Sequence, residues 1–197
     1  MNNIPIVLLA AGASSRMGQP KPLLPWAEQT LIEHQVNTLT ATGQSVVVVL
    51  GNQAENISPI LNGLPVKFII NENWEQGMGT SIAKGVKLVE QQFPACNGVL
   101  ITLIDQPLIT TDHLTTLLGN FEAGKQQIIV SQAKSGWQGV PVIFDRFYFN
   151  ELAKLSGKQG AKAVFRNFMH QVKTIRCGDS LEDMDTPEQY IKLRNNQ

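Results

Sequence analysis

Three groups of residues in this chain have the types and spacing to act on phosphates. The first runs from Gly12 to Lys21, Gly-Ala-Ser-Ser-Arg-Met-Gly-Gln-Pro-Lys, and follows the apolar run Ile4 to Ala10. Gly12, Ala13 and Ser14 let the backbone approach a ligand closely and offer N–H donors to anionic oxygens, while Arg16 and Lys21 supply the positive charge a triphosphate needs. Two familiar phosphate loops are excluded. Gly18-Gln19-Pro20 stands where a P-loop has Gly-Lys-Ser/Thr, and Ser14 and Met17 replace glycines of G-x-G-x-x-G. Pro20 and Pro22 predict extended backbone at Lys21. The second group is carboxylates, because transfer chemistry at phosphorus uses a divalent cation, usually Mg²⁺, held by one or two carboxylates plus the substrate's phosphates. Asp105 follows the run Val99 to Leu103, which puts it beyond the carboxyl end of a buried strand, where open α/β sheets bind ligands. Asp183 and Asp185 point the same way in extended chain; one of them suffices as a second ligand, and spacing does not choose between them. Thr186 and Gln189 make a capping box behind them, with Pro187 at the first helical position. The third group is Asn71 to Ser81, where the Asn71 amide and the free N–H groups of a helix start can read a base edge. The same stretch also reads as a plain turn into a helix capped by Thr80 or Ser81, with Trp74 packed on the core.

The elements that must position these groups follow from hydrophobic period. Short Val- and Ile-rich runs predict strands at Ile4 to Ala10, Ser45 to Leu50, Val66 to Ile70, Val99 to Leu103, Gln127 to Ser131, Val140 to Phe144 and Val172 to Arg176. Apolar residues at helical spacing predict helices at Leu31 to Ala41, Thr80 to Gln92, Asp112 to Phe121, Phe147 to Leu155, Ala161 to Met169 and Pro187 to Leu193. Such alternation belongs to an α/β fold of three layers, helices covering both faces of a mostly parallel, Rossmann-like sheet. With 197 residues, 43% of them hydrophobic, and no repeat or linker, residues 1–197 are expected to form one domain.

Composition narrows the partners. Sixteen Lys plus Arg balance sixteen Asp plus Glu, so no global field draws the chain to nucleic acid or to an anionic membrane. Cys96 and Cys177 lie in no metal or C-x-x-C spacing and are expected to be reduced and structural. The first apolar run lacks a basic segment before it and is broken early by glycine, so neither a signal peptide nor a spanning helix is expected, and a cytoplasmic protein is. His34, His113 and His170 have no partners at metal or triad spacing, and no Ser or Cys sits in a nucleophile elbow.

Leu9 to Pro25 reads L-A-A-G-x-S-x-R-M-G-x-x-K-x-L-L-P and resembles the signature of the nucleotidyltransferases that include the molybdenum cofactor cytidylyltransferases. Asn71 to Ser81 is similar to that group's N-x-x-W-x-x-G-M-G-x-S segment, Asp105-Gln106-Pro107 to its metal-binding step, and Asp183 to Glu188 to its D-x-D-T-P-E pattern. The resemblance implies a nucleotide-diphospho-sugar transferase fold. It implies that Ala10, Ala11 and Gly12 lie beside the base, that Arg16 and Lys21 contact the phosphates, that Asn71, Gly79 and Ser81 lie at the base, and that Asp105 and Asp185 hold Mg²⁺. The Ala-Ala-Gly form points to the cytidylyl branch, hence to transfer of CMP from CTP to molybdenum-loaded molybdopterin with release of pyrophosphate, and to a molybdoenzyme as recipient. The acceptor segments match less closely. Gly157-Lys158-Gln159-Gly160-Ala161-Lys162 stands where relatives have G-D-x-G-A-R, beside Gln138 to Phe144. Lys158, Lys162 and Arg166 form either a basic patch for a phosphorylated pterin or a solvated helix face. The alternatives are a sugar phosphate or other alcohol phosphate as acceptor, and a non-catalytic accessory protein that carries nucleotide or cofactor.

Overall fold

The computed structural model describes residues 2–178 and 181–195, and at its centre are strands whose sequences are apolar without alternation. β1 (Ile6–Ala10) and β4 (Val46–Leu50) are buried at every residue, as strands covered on both faces must be. Between them lie two short strands, β2 (Pro25–Trp26) and β3 (Gln29–Thr30), paired as a small antiparallel hairpin. β5 (Lys67–Ile70), β6 (Gly98–Leu103), β7 (Ile128–Ala133), β8 (Gln138–Asp145) and β9 (Val172–Gly178) complete a seven-stranded sheet in the order β5-β4-β1-β6-β8-β7-β9. Only β8 runs against its neighbours. The exposed residues fall on the outer strands β5 and β9, where one edge has no partner.

Side-chain alternation along β1 assigns the two faces. Ile6 and Leu8 join one core with α1 (Leu31–Thr40), α2 (Ala54–Leu61), α4 (Thr111–Gly119) and α7 (Pro187–Asn195), through Ile32, Ile57, Leu114 and Leu193 among others. Val7 and Leu9 join the other with α3 (Met78–Gln92), α5 (Phe149–Leu152) and α6 (Ala161–Asn167), through Ile82, Val86, Leu152 and Phe165. This is the three-layer α/β arrangement expected from the sequence.

All seven predicted sheet strands are present, with ends moved by a few residues. Four local expectations change. α2 was not anticipated, because it is short and carries Pro59 inside, and proline reads as a break. Phe147 to Leu155 is not one helix: a 3₁₀ turn at Arg146–Tyr148 precedes the short α5. α3 begins at Met78 behind Gly77, and Thr80 Oγ1 donates back to the carbonyls of Asn73 and Gly77 instead of capping the helix. Lys21 does not stay extended. Lys21–Leu23 is a 3₁₀ turn, with Leu23 N donating to Pro20 O at 3.0 Å and Leu24 N to Lys21 O at 3.1 Å, and the extended residue is Pro20. Burial of the Lys21 side chain against acidic residues overrides the local preference of a residue before proline.

Candidate functional site

The strand order reverses between β1 and β6, and the loops leaving their carboxyl ends open a crevice there, which is where doubly wound sheets hold ligands. A cleft of about 320 Å³ occupies this place. Ala10, Ala11, Gly12, Ala13 and Ser14 line one wall as β1 runs out, and Lys21 and Asp105 stand at its far end. Ser14 has φ of 52°, and its hydroxyl accepts from Lys21 N at 3.1 Å, so the small-residue turn and the lysine are tied together. The opposite wall comes from Trp74, Glu75, Gly77, Met78 and Ser81 around the start of α3. Most of that lining is apolar or small, as suits a flat ring, with Lys21 and Asp105 together at one end and Glu75, beside Trp74, the third charged residue.

That charged end is built from three separate parts of the chain. Lys21 Nζ lies 2.6 Å from Asp185 Oδ1 and 3.6 Å from Asp105 Oδ2. Arg16 Nη2 reaches the other oxygen of Asp185 at 2.7 Å and stays largely exposed. Asp185 is brought to the first loop by α7, whose start carries the expected capping box. Thr186 N donates to Gln189 Oε1 at 2.9 Å, and Gln189 N to Thr186 Oγ1 at 3.3 Å. Tyr190 Oη donates to Pro25 O at 2.6 Å, fastening α7 to the end of that same loop. Asp183 is turned another way: its Oδ1 accepts from Gln106 Nε2 at 3.1 Å, and the residue lines a second cleft of about 400 Å³ with Lys134, Trp137 and Leu181.

Electrostatics separates the three carboxylates. Burial pushes the Asp105 carboxyl up to about 6, with Lys21 opposing the shift and Asp183 and Asp185 adding to it. Burial also raises Asp183, and the Gln106 hydrogen bond only partly offsets this. For Asp185 burial again works against ionisation, but the hydrogen bonds and charges of Lys21 and Arg16 together outweigh it and hold the group below the usual carboxylate range.

A divalent cation fits here on the chemistry of the donors. Asp105 Oδ1 is a buried acceptor with no hydrogen-bond partner among the described residues, and the single ammonium of Lys21 already touches both Asp105 and Asp185. Hard carboxylate oxygens suit Mg²⁺ or Mn²⁺. Among the described residues no group of three or more His, Cys, Asp or Glu makes a self-sufficient metal site, so a cation held by this pair depends on substrate phosphates for its remaining ligands.

Not every residue singled out from sequence lines the cleft. Asn71 is buried and donates to Thr80 Oγ1 and Ser81 Oγ, both at 2.9 Å, so it orients Ser81 from behind. Gly79 donates its N–H to Gly157 O at 3.0 Å, and a Cβ on it would stand 2.6 Å from Ser156 O; the glycine is there for the close approach of the segment carrying Lys158 and Lys162. Sequence reasoning missed Gly77 and Met78, which are wall residues. Trp74, which the alternative reading of this segment as a plain turn packed on the core, is half-buried at the cleft. Two of the histidines make contacts away from the carboxylates: His113 Nε2 lies 2.9 Å from Ser131 Oγ, and His34 Nε2 lies 3.1 Å from Pro107 O. Cys96 and Cys177 form no disulfide. Of the predicted basic patch, Lys162 lies 5.8 Å over the Trp137 ring, at the second cleft. No helix among the described residues is long and apolar enough to cross a membrane.

Comparison with known proteins agrees with this geometry. Residues 6–174 match the MobA-like NTP transferase domain. Nicotine blue oxidoreductase of Paenarthrobacter nicotinovorans is 34% identical over 95% of this chain and 94% of its own. Purine catabolism protein PucB of Bacillus subtilis is 28% identical over 95% and 94%, and molybdenum cofactor cytidylyltransferase of Escherichia coli 22% over 98% and 97%. Among solved structures, a nucleotidyl transferase from Methanothermobacter superposes with a TM-score of 0.83 at 21% identity, covering 100% of this chain and 98% of that one. A Mycobacterium tuberculosis protein in complex with manganese superposes at 0.79 with 25% identity over the whole of both chains.

Proposed function

This chain belongs to the MobA-like NTP transferase family, and on that premise we propose that it is a divalent-cation-dependent cytidylyltransferase, moving CMP from CTP to a phosphorylated acceptor, most favourably molybdenum-loaded molybdopterin, with release of pyrophosphate. One observation carries the reading: at the switch-point cleft Asp105 and Asp185 meet across the single ammonium of the buried Lys21. A cation bound by Asp105 and Asp185 would supply Lewis-acid charge to the phosphate being attacked. The base lies between the Ala10-to-Gly12 wall and the Met78-to-Ser81 wall, where Asn71 sets the Ser81 hydroxyl. The N–H groups of Gly12, Ala13 and Ser14 receive phosphate oxygens. Lys21 and Arg16, which meet at Asp185, are the cations that offset the charge of the departing pyrophosphate. An acceptor phosphate enters from the second cleft, past Trp137 and Asp183, and is already anionic, so no protein nucleophile is required.

A second reading comes from the relative named nicotine blue oxidoreductase, which raises a redox activity for this scaffold. The chain has no G-x-G-x-x-G fingerprint in its first loop, which disfavours a nicotinamide dinucleotide there. The deciding measurement is pyrophosphate release with Mg²⁺ or Mn²⁺ and each of CTP, GTP, ATP and UTP, with and without molybdenum-loaded molybdopterin or a sugar phosphate. Alongside it runs oxidation of a reduced nicotinamide dinucleotide with a quinonoid dye. Release that needs both CTP and the pterin is expected. Dye-dependent oxidation without pyrophosphate release would replace the transferase reading, and binding of nucleotide with neither activity would leave an accessory carrier.

A further inference from the structure

We infer that Gln106 is a positioning residue that ties the two acidic segments together and, by occupying Asp183, leaves Asp105 and Asp185 as the pair facing a divalent cation. The inference rests on the metal reading above and adds to it the residue that fixes the two acidic segments against each other.

Gln106 has no exposed surface and follows Asp105 directly. Its backbone carbonyl accepts from Gln35 Nε2 at 3.0 Å, and the next carbonyl, that of Pro107, lies 3.1 Å from His34 Nε2. A carbonyl can only accept, so His34 carries its proton on Nε2. Both donors are consecutive residues of α1, whose first turn is fixed by the reciprocal capping box of Thr30 and Glu33. The turn after β6 is therefore clamped by a helix that is itself capped and buried. From that fixed point Gln106 Nε2 donates to Asp183 Oδ1 at 3.1 Å, while Met184 N donates to Asp105 O at 2.7 Å. The two bonds run in opposite directions and zip residues 105–106 onto residues 183–184. Met184 is fully buried beside them.

The consequence is a division of roles among three acidic side chains crowded at one place. Asp183 has an oxygen taken by a neutral amide donor and faces the second cleft. Asp185 meets the cations of the first loop, and Asp105 keeps a buried oxygen without a partner. An uncharged N–H is the donor that can anchor a carboxylate here without placing a further cation in competition with a metal ion.

The test is Mn²⁺ binding to the full chain, read from the electron paramagnetic resonance signal of free Mn²⁺ with and without CTP. Gln106→Met keeps the length of the side chain and removes the donor that holds residues 183–184 to residues 105–106; with the two ligand-bearing segments no longer fixed against each other it is expected to weaken Mn²⁺ binding by about 10- to 100-fold, the size of effect seen when the support behind metal ligands is lost. Asp183→Asn keeps an oxygen that accepts from Gln106 and is expected to shift the affinity by less than about threefold, the effect of one nearby screened charge. Asp185→Asn is expected to weaken binding at least as much as Gln106→Met does. Wild-type affinity in Gln106→Met, or a loss in Asp183→Asn equal to that in Asp185→Asn, overturns the inference. Should circular dichroism show Gln106→Met unfolded, the comparison of Asp183→Asn with Asp185→Asn decides alone. Wild-type affinity in both Asp105→Asn and Asp185→Asn would instead remove the metal reading on which the inference stands.

Discussion

Asp105 carries its charge at a cost to the fold, because burial works against its ionisation. Its folded pKa of about 6 lies above the ordinary 3.8, so the folded chain binds a proton more readily than the unfolded one. The sign follows: below pH 4 the carboxyl is neutral in both states and costs nothing, between 4 and 6 the cost grows, and above 6 it is fully present. A shift of this size corresponds to about 3 kcal/mol, and the 23% exposure of the side chain, which lets water relieve part of it, trims this to on the order of 2 kcal/mol. Asp105→Asn is therefore expected to stabilise the metal-free protein by about 1–2 kcal/mol at pH 7.5 and by almost nothing at pH 4, in urea unfolding with a chelator present. The same variant is expected to lose cation binding. Equal stability changes at both pH values would mean that the carboxylate is not strained by its surroundings. Lys21 gives the complementary case. Lys21→Met removes the only ammonium touching both Asp105 and Asp185 among the described residues, and turnover at saturating nucleotide is expected to fall about 10²- to 10³-fold, as when one preorganised donor is lost. A change confined to nucleotide KM would make Lys21 a binding group only.

At the scale of elements, the start of α3 and the Ser156-to-Lys162 segment are held together where their two backbones nearly touch. Gly79→Ala would drive a methyl to 2.6 Å from Ser156 O, and thermal unfolding is expected to report a loss of about 1–3 kcal/mol, the usual result of overpacking. Gly12→Ala is the contrast: nothing lies within 4 Å of the added carbon, so stability is expected to hold while nucleotide KM rises, since the methyl enters the cleft. If Gly79→Ala instead left stability intact and altered only KM, Gly79 would be a ligand-facing residue after all. These positions also show how far the sequence can be read. The strands were legible because β1, β4 and β6 are apolar runs with no competing helical period. Asp105 was legible because it ends such a run, and the capping box before Gln189 because its residue types imply its bonds. The packing of Gly79 against Ser156 was not legible, because a glycine needed for close packing and one needed for a ligand look alike until the partner backbone is known. The Gln106–Asp183 bond joins residues 77 apart, and no local pattern announces it.

For the whole molecule, the decisive feature is that the site closes the chain on itself. Arg16 and Lys21 meet Asp185 across sequence separations of 169 and 164, and Tyr190 ties α7 to Pro25 across 165, so the last helix is seated by the first loop. A nucleotide and a cation bound at that seam join β1, β6 and α7, and so favour the folded state over any state in which α7 has detached. Ligand at about 100 times its dissociation constant contributes about 2.7 kcal/mol. For a chain of 197 residues each kcal/mol moves the unfolding midpoint by about 2–4 °C. CTP with Mn²⁺ is therefore expected to raise the thermal midpoint by about 5–10 °C, measured by differential scanning fluorimetry. Chelation is expected to remove most of that rise, because two carboxylates without a cation repel the phosphates they would otherwise hold. In Asp185→Asn the rise is expected to shrink to that given by nucleotide without metal, since the link from the cation to α7 is gone. A full rise in Asp185→Asn would show that nucleotide and cation are held by the first loop and Asp105 alone, with α7 a bystander to binding.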